Sequence, residues 1–215
     1  YGKVLPLYYI DVVNGLMTNY IDVRRFIGTL DDKIDIIVDS SDVNLTGSFR
    51  SLEGALLYAQ KYPANEKLTV KIVGTVLCPE SITVPSGISI IGQSPYGGSS
   101  KCQIIADYTV GNPLLILSGN NKLENLEIIS PSAGLTSSLV YINGSNVTVE
   151  KCLLRFGADT TSNSSDVGIF ISTGATDNIN ISNNIIDNCY SGMDGQYGQN
   201  NINVSGNSIP NLAGT

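Results

Sequence analysis

The chain has 215 residues, 42% hydrophobic and 14% charged, with a formal net charge of −7, which suits one substantial core in a compact β-rich protein. The acidic balance argues against nucleic acid as a partner, because phosphate recognition needs clustered Lys and Arg. No apolar run approaches the ~20 residues that cross a bilayer, so membrane insertion is not expected, and no signal peptide is visible.

Residues 1–47 carry no detectable repeat and read as a non-repetitive N-terminal segment, either an anchoring or oligomerising module or a simple extension. Tyr8–Val13 and Ile34–Val38 have the composition of strands, Asn14-Gly15 marks a turn, and Leu16 to Ile27 is ambiguous between states. Residues 48–67 hold a short amphipathic helix: Leu52, Ala55, Leu56 and Ala59 fall on one face, and Pro63 follows its end. Period-two patterns then begin with Leu68–Val76, Ser81–Gly87 and Ile88–Gly92, and the segment 68–215 is read as one repetitive unit.

The repeat itself is clearest in the second half. Val147–Leu154 aligns with Ile179–Ile186 and Ile202–Ile209, and Leu123–Ile128 is a shorter version of the same unit. In all four an inward aliphatic is followed five positions later by another: 123 and 128, 149 and 154, 181 and 186, 204 and 209. The central aliphatics at 123, 149, 181 and 204 are 26, 32 and 23 residues apart, so a fixed strand is joined by loops of variable length. Period two excludes helical repeats, and no Leu/Asn consensus of a leucine-rich repeat is present. A parallel solenoid remains, in which each turn buries its aliphatics against the turns above and below.

Ten Asn lie between 178 and 211, a density that in isolation predicts turns. Alternating with Ile and Val, an Asn at an inward bend can instead hydrogen-bond to its equivalent one turn away. Asn184 and Asn207 are the expected pair of such a structural ladder, with Cys152 and Leu126 taking the place in earlier turns.

Taken together, the helix at 51–62, the Gly74-to-Glu80 bend, the Val84-Pro85-Ser86-Gly87 turn, the Ile88-Ser89-Ile90-Ile91-Gly92 strand and the later rungs resemble the pectin-lyase-like right-handed parallel β-helix superfamily. The resemblance covers roughly residues 48–215. It implies an all-β, right-handed, single-stranded parallel β-helix whose N-terminal helix caps the first open coil. A solenoid end exposes apolar surface and unpaired edges, which gives a cap its physical purpose. The first residue is Tyr, not Met, and Thr215 comes just after a rung, so the sequence reads as a piece of a longer polypeptide, truncated at its C-terminal side.

Cys78, Cys102, Cys152 and Cys189 form no C-x-x-C pair and there is no His, so they read as small core thiols of a protein assembled in a reducing compartment. Six Asn-x-Ser/Thr sequons begin at Asn44, Asn143, Asn146, Asn163, Asn180 and Asn203; several sit inside the repeat and read as by-products of its composition, not glycosylation sites. No cofactor is expected and no metal site either. Without His the commonest general base and the Ser-His-Asp triad are gone, and Gly97-Gly98 lacks the Lys-Ser/Thr of a phosphate loop.

Each enzyme branch that the resemblance brings with it can be tested by motif. The Gly-His-Gly and Arg-x-Lys of pectin hydrolases, the Trp-x-Asp-His of pectate lyases and the Gly-Arg-Pro-Trp of pectin methylesterases are all missing. A carboxylate-only glycosidase stays open, with Asp159, Asp166, Asp187 and Asp194 as candidates. Asp187 to Asp194 is the most site-like stretch, since two acids and Tyr190 share what reads as one bend; solvated turn acids are the alternative. Relatives of this fold in bacteriophage tail spikes and fibres imply a virion component, assembled in the host cytoplasm, homotrimeric, and contacting other virion proteins and a host surface glycan. A polysaccharide-degrading enzyme and a bacterial surface adhesin are the competing classes.

Overall fold

The computed structural model describes residues 8–13, 16–22, 35–40, 48–62, 68–92, 102–108, 111–131, 137–157, 166–196, 198 and 200–210, with the backbone alone at 8–13, 16–22 and 35. β1 (Tyr8–Val13) and β2 (Leu16–Asp22) pair antiparallel as a separate two-stranded sheet. All other described strands belong to three parallel sheets that the chain visits in rotation.

The first sheet holds β3 (Asp35–Asp39), β4 (Leu68–Val73), β7 (Ile88–Ile91), β10 (Lys122–Glu124), β13 (Val147–Glu150), β16 (Asp177–Ser182) and β19 (Asn200–Ser205). The second holds β5 (Thr75–Cys78), β8 (Gln103–Ala106), β11 (Glu127–Ser130), β14 (Leu153–Phe156) and β17 (Ile185–Asp187). The third holds β6 (Ile82–Val84), β9 (Leu115–Leu117), β12 (Ser138–Ile142), β15 (Val167–Ile171) and β18 (Ser191–Gly195). One strand from each sheet makes a coil, and each coil lies in register on the one before it. The fold is a parallel β-solenoid.

Three short faces enclosing one interior explain why aliphatics recur at fixed places. Ile36, Val70, Ile90, Leu123, Val149 and Ile181 are successive register partners in the first sheet, each with no exposed surface. Val76, Ile104, Ile128, Leu154 and Ile186 form the matching column of the second sheet. Each buried aliphatic contributes about 1.5–3 kcal/mol from lost apolar hydration, which makes these columns the main stabilising element. The fourth rung differs from the sequence expectation: Val204 and Ile209 keep 48% and 36% exposure, because they lie on the outermost described coil. Residues 211–215 are outside the described set.

The corners explain much of the Asn content. Between the first and second sheets the chain turns through a left-handed residue at Gly74, Asn125, Lys151, Asn183 and Gly206, with φ between 53° and 71°. A second series stands at the entry to the first sheet: Gly87, Asn120 and Asn146 precede their strands, and Asn178 and Asn201 are the second residues of β16 and β19. Left-handed backbone costs most L residues about 1–2 kcal/mol, and Gly and Asn are the residues that adopt it routinely. Gly74 also divides the stretch that reads as one strand over 68–76: β4 ends before it and β5 begins after it, on another face.

α1 (Leu52–Ala59) starts at Ser51, whose Oγ accepts a hydrogen bond from the Gly54 N–H at 3.2 Å, a normal N-cap. Leu52, Ala55, Leu56 and Ala59 are all buried in the main core. Just before the helix, Phe49 bridges Val38 of β3 in parallel, with the Asp39 N–H donating to the Phe49 carbonyl at 2.8 Å. Within the described residues no helix is long and apolar enough to cross a membrane.

Candidate functional site

The inward corner after the first sheet holds the ladder residues. Leu126, Cys152 and Asn184 are buried and Asn207 is partly so, and Cys102 stands in the same series one coil before Leu126. Each of their carbonyls up to Asn184 accepts from the residue that starts the next coil's strand or bridge: Cys102 from Glu127, Leu126 from Leu153, Cys152 from Ile185, Asn184 from Ser208. Asn184 adds side-chain bonds: its Oδ1 accepts from the Cys152 N–H at 2.9 Å and its Nδ2 donates to the Val149 carbonyl at 2.9 Å. Asn207 repeats this one coil on, accepting from the Asn184 N–H and Nδ2 at 2.9 Å and donating to the Ile181 carbonyl at 2.8 Å. Side chains thus join coils at Asn184 and Asn207, whereas Leu126 and Cys152 take part through backbone groups.

One further amide series and one buried Asn were not found from sequence. On the outside of the opposite corner, Asn178 Nδ2 donates to Asn146 Oδ1 at 3.0 Å, and Asn146 Nδ2 to Asn120 Oδ1 at 3.1 Å. Inside, Asn121 sits among aliphatics yet is satisfied: its Oδ1 accepts from the Gly119 N–H, and its Nδ2 donates to the Pro85 and Ile88 carbonyls.

Asp187 and Asp194, the two acids of the most site-like stretch, do not converge. Asp159 lies outside the described residues. Asp166 is buried at the entry to β15, where its carbonyl accepts from the Tyr190 and Ser191 N–H groups. Asp187 ends β17 on the outer face of the second sheet, in register with Arg155, while Asp194 is exposed on the outer face of the third sheet, in register with Phe170. The three-residue corner 188–190 separates them, so 187–194 is not a single bend. Each carboxylate also accepts from the following backbone N–H, Asn188 at 3.0 Å and Gly195 at 2.7 Å.

The most constrained ionisable group is one that sequence reading passed over. Glu127 points outward from β11 yet is only 2% exposed. Its Oε1 accepts from Arg155 Nη2 at 2.7 Å and its Oε2 from Gln103 Nε2 at 2.5 Å, while Gln103 Oε1 accepts from Thr75 Oγ1 at 2.8 Å. Both carboxylate oxygens are therefore engaged, and the bonded series from Thr75 to Arg155 ties four successive coils together. Replacing Arg155 with Met should cost about 2 kcal/mol, since a buried carboxylate then loses its cationic partner. In urea unfolding, the double variant Glu127→Leu with Arg155→Met should recover at least half of that loss.

Elsewhere on the outer faces, Lys122 bridges Glu124 and Glu150, each at 2.7 Å, and Lys151 reaches Glu124 at 3.1 Å. Hydrogen bonding to the carboxylates raises the Lys122 pKa, and hydrogen bonding to Lys122 lowers that of Glu124. Tyr141 and Phe170, neighbours in the third sheet, stack with centroids 5.4 Å apart and planes 10° from parallel. Among the described residues no three metal-ligating side chains come together.

All four cysteines are free and buried. Burial raises the Cys78 and Cys152 thiols from 9.0 to about 12 and Cys189 to about 11, which leaves no thiolate for nucleophilic work near neutrality. These raised values carry a definite sign. Below pH 9 both folded and unfolded thiols are protonated; between pH 9 and 12 the unfolded chain ionises first and binds fewer protons, so stability falls as pH rises through that window. Native protein should react slowly with a thiol reagent at pH 8 and all four groups should react at once on unfolding; rapid native labelling would contradict the burial.

Compared with known proteins, the chain matches no protein-family model, no curated protein and no solved structure. What its strands define is the architectural class, a three-sheet parallel β-solenoid with a hydrogen-bonded polar ladder at one corner.

Proposed function

We propose that this chain is a stiff rod in a virus particle, a tail spike, fibre or head-decoration component that carries receptor-contacting surface on its outer faces. The supporting observation is the unbroken register of aliphatic columns from coil to coil, which makes bending expensive: it would have to open parallel hydrogen bonds and buried contacts together. The buried thiols suit assembly in a host cytoplasm. A right-handed winding is proposed on the general preference of parallel strand crossovers, about 98% of which take that hand. Membership in the pectin-lyase-like superfamily, α1 as the cover of the first coil, and a homotrimeric state belong to the same reading.

Native mass measurement combined with a glycan assay tests it. A trimer that survives mild detergent and leaves capsular or plant polysaccharide intact is the expected result. A monomer that shortens such a polysaccharide, with the activity abolished by Asp187→Asn plus Asp194→Asn at unchanged melting temperature, would replace the rod with an enzyme.

A further inference from the structure

The third sheet begins at β6, whose partner among the described strands is β9. The Ile82 N–H donates to the Leu114 carbonyl at 2.9 Å and the Val84 carbonyl accepts from the Ser118 N–H at 3.2 Å, so both residues turn these backbone groups toward β9. Successive residues of a parallel strand face opposite neighbours, which turns the N–H and C=O of Thr83 to the edge of the sheet. Thr83 also lines a groove of about 170 Å³ between α1 and β6, with Leu56, Leu57 and Ile82 as its apolar part. Glu53 borders the groove on the helix and Glu80 borders it just ahead of β6, and no cation is among the lining residues. Leu57 is 57% exposed, and Glu53, Glu80 and Thr83 are exposed as well, so the groove stands open to solvent.

We propose that this groove docks an extended basic segment of another protein: one aliphatic side chain enters the groove, a Lys or Arg flanks it on either side, and the backbone pairs with Thr83. Size, hydrogen bonding and charge each select the occupant. A drug-sized ligand fills about 300 Å³ or more, so the space suits a single side chain. A docked helix would leave the Thr83 N–H and C=O unpaired, whereas an added strand uses both. In a strand, residues two apart share a face, so cations two positions before and after the aliphatic point the same way it does, toward the carboxylates. Glu53 and Glu80 attract those cations, and they count against a second copy of this chain, whose formal net charge is −7.

The probe is the end-capped peptide Lys-Thr-Leu-Thr-Lys, titrated into the full 215-residue chain and followed through the amide resonances of Leu57, Ile82 and Thr83. These should shift and saturate, and the peptide Glu-Thr-Leu-Thr-Glu should bind about tenfold more weakly. Gly in place of the peptide's Leu should also cost about tenfold, since one buried aliphatic is lost. Glu53→Gln with Glu80→Gln, both at exposed positions, should weaken the basic peptide about fivefold, remove most of its salt dependence and leave the melting temperature nearly unchanged. Thr83→Pro should weaken it about tenfold while sparing the ladder to β9, because that ladder does not use the Thr83 N–H. Equal binding of the Lys and Glu peptides, or no saturable shift at Thr83, overturns the proposal. Shifts that appear without peptide and grow with protein concentration also overturn it, by giving the groove to a second copy of this chain. The viral role enters none of these readouts, so the two readings fail separately.

Discussion

Replacing Asn184 with Ala should lower folding stability by about 4 kcal/mol, because two buried backbone groups, the Cys152 N–H and the Val149 C=O, lose their partners. An unpaired buried donor or acceptor costs about 1–3 kcal/mol, and Asn207 would lose a bond as well. Asn180 provides the control: it lies on the outer face of the same strand region, bonded only to neighbouring side chains, and its Ala variant should change stability by less than about 0.5 kcal/mol. Urea unfolding followed by circular dichroism distinguishes the two. Equal effects at 184 and 180 would show that the corner amides merely fill space.

Gly144→Ala should cost about 3 kcal/mol for a different reason. A Cβ there would lie 2.1 Å from the Ser118 carbonyl oxygen and 2.6 Å from the Gly119 nitrogen, both backbone atoms of the coil below. Relief requires the coils themselves to separate, since no flexible side chain can give way. Gly74 supplies the contrast: its φ of +71° makes Ala unfavourable by about 1 kcal/mol, yet no atom lies within 4 Å of the added methyl. Asn at position 74 should therefore be nearly neutral, whereas Asn at 144 should be at least as harmful as Ala. Thermal melts of the four variants would separate steric from conformational cost.

The columns were legible in the sequence because inward side chains in a stacked coil must be aliphatic and strands repeat every second residue. Leu123, Val149, Ile181 and Val204 are register partners as their alignment implies, and Leu52, Ala55, Leu56 and Ala59 form one buried helix face. What alternation could not convey was where the chain changes sheets. A period-two pattern continues across a one-residue left-handed turn, so Leu68–Val76 looked like one strand although Gly74 divides it. The same blindness merged Asp187 and Asp194, which are close in sequence but sit on faces set at an angle by the intervening corner.

Asn was read for one role and has two. Its amide bonds between coils at 184 and 207, but at 120, 125, 146, 178, 183, 188 and 201 the residue is also there for its backbone, in the left-handed region. Glu127 went unnoticed because an acidic residue in an outward strand position usually signals solvent. Its burial depends on Gln103 one coil below and Arg155 one coil above, a relation across the sheet that local sequence does not display.

The connections between the second and third sheets span 3, 8, 7, 10 and 3 residues in successive coils, while the strands on either side keep an unshifted register. Chain length can therefore vary along one edge of the molecule without disturbing its interior, and a lineage could diversify that edge by insertion and deletion while conserving the scaffold. Foreign segments grafted at 131–137 should be tolerated far better than a single added residue between Lys151 and Cys152, where one extra link would turn the side chains of β14 to the wrong face.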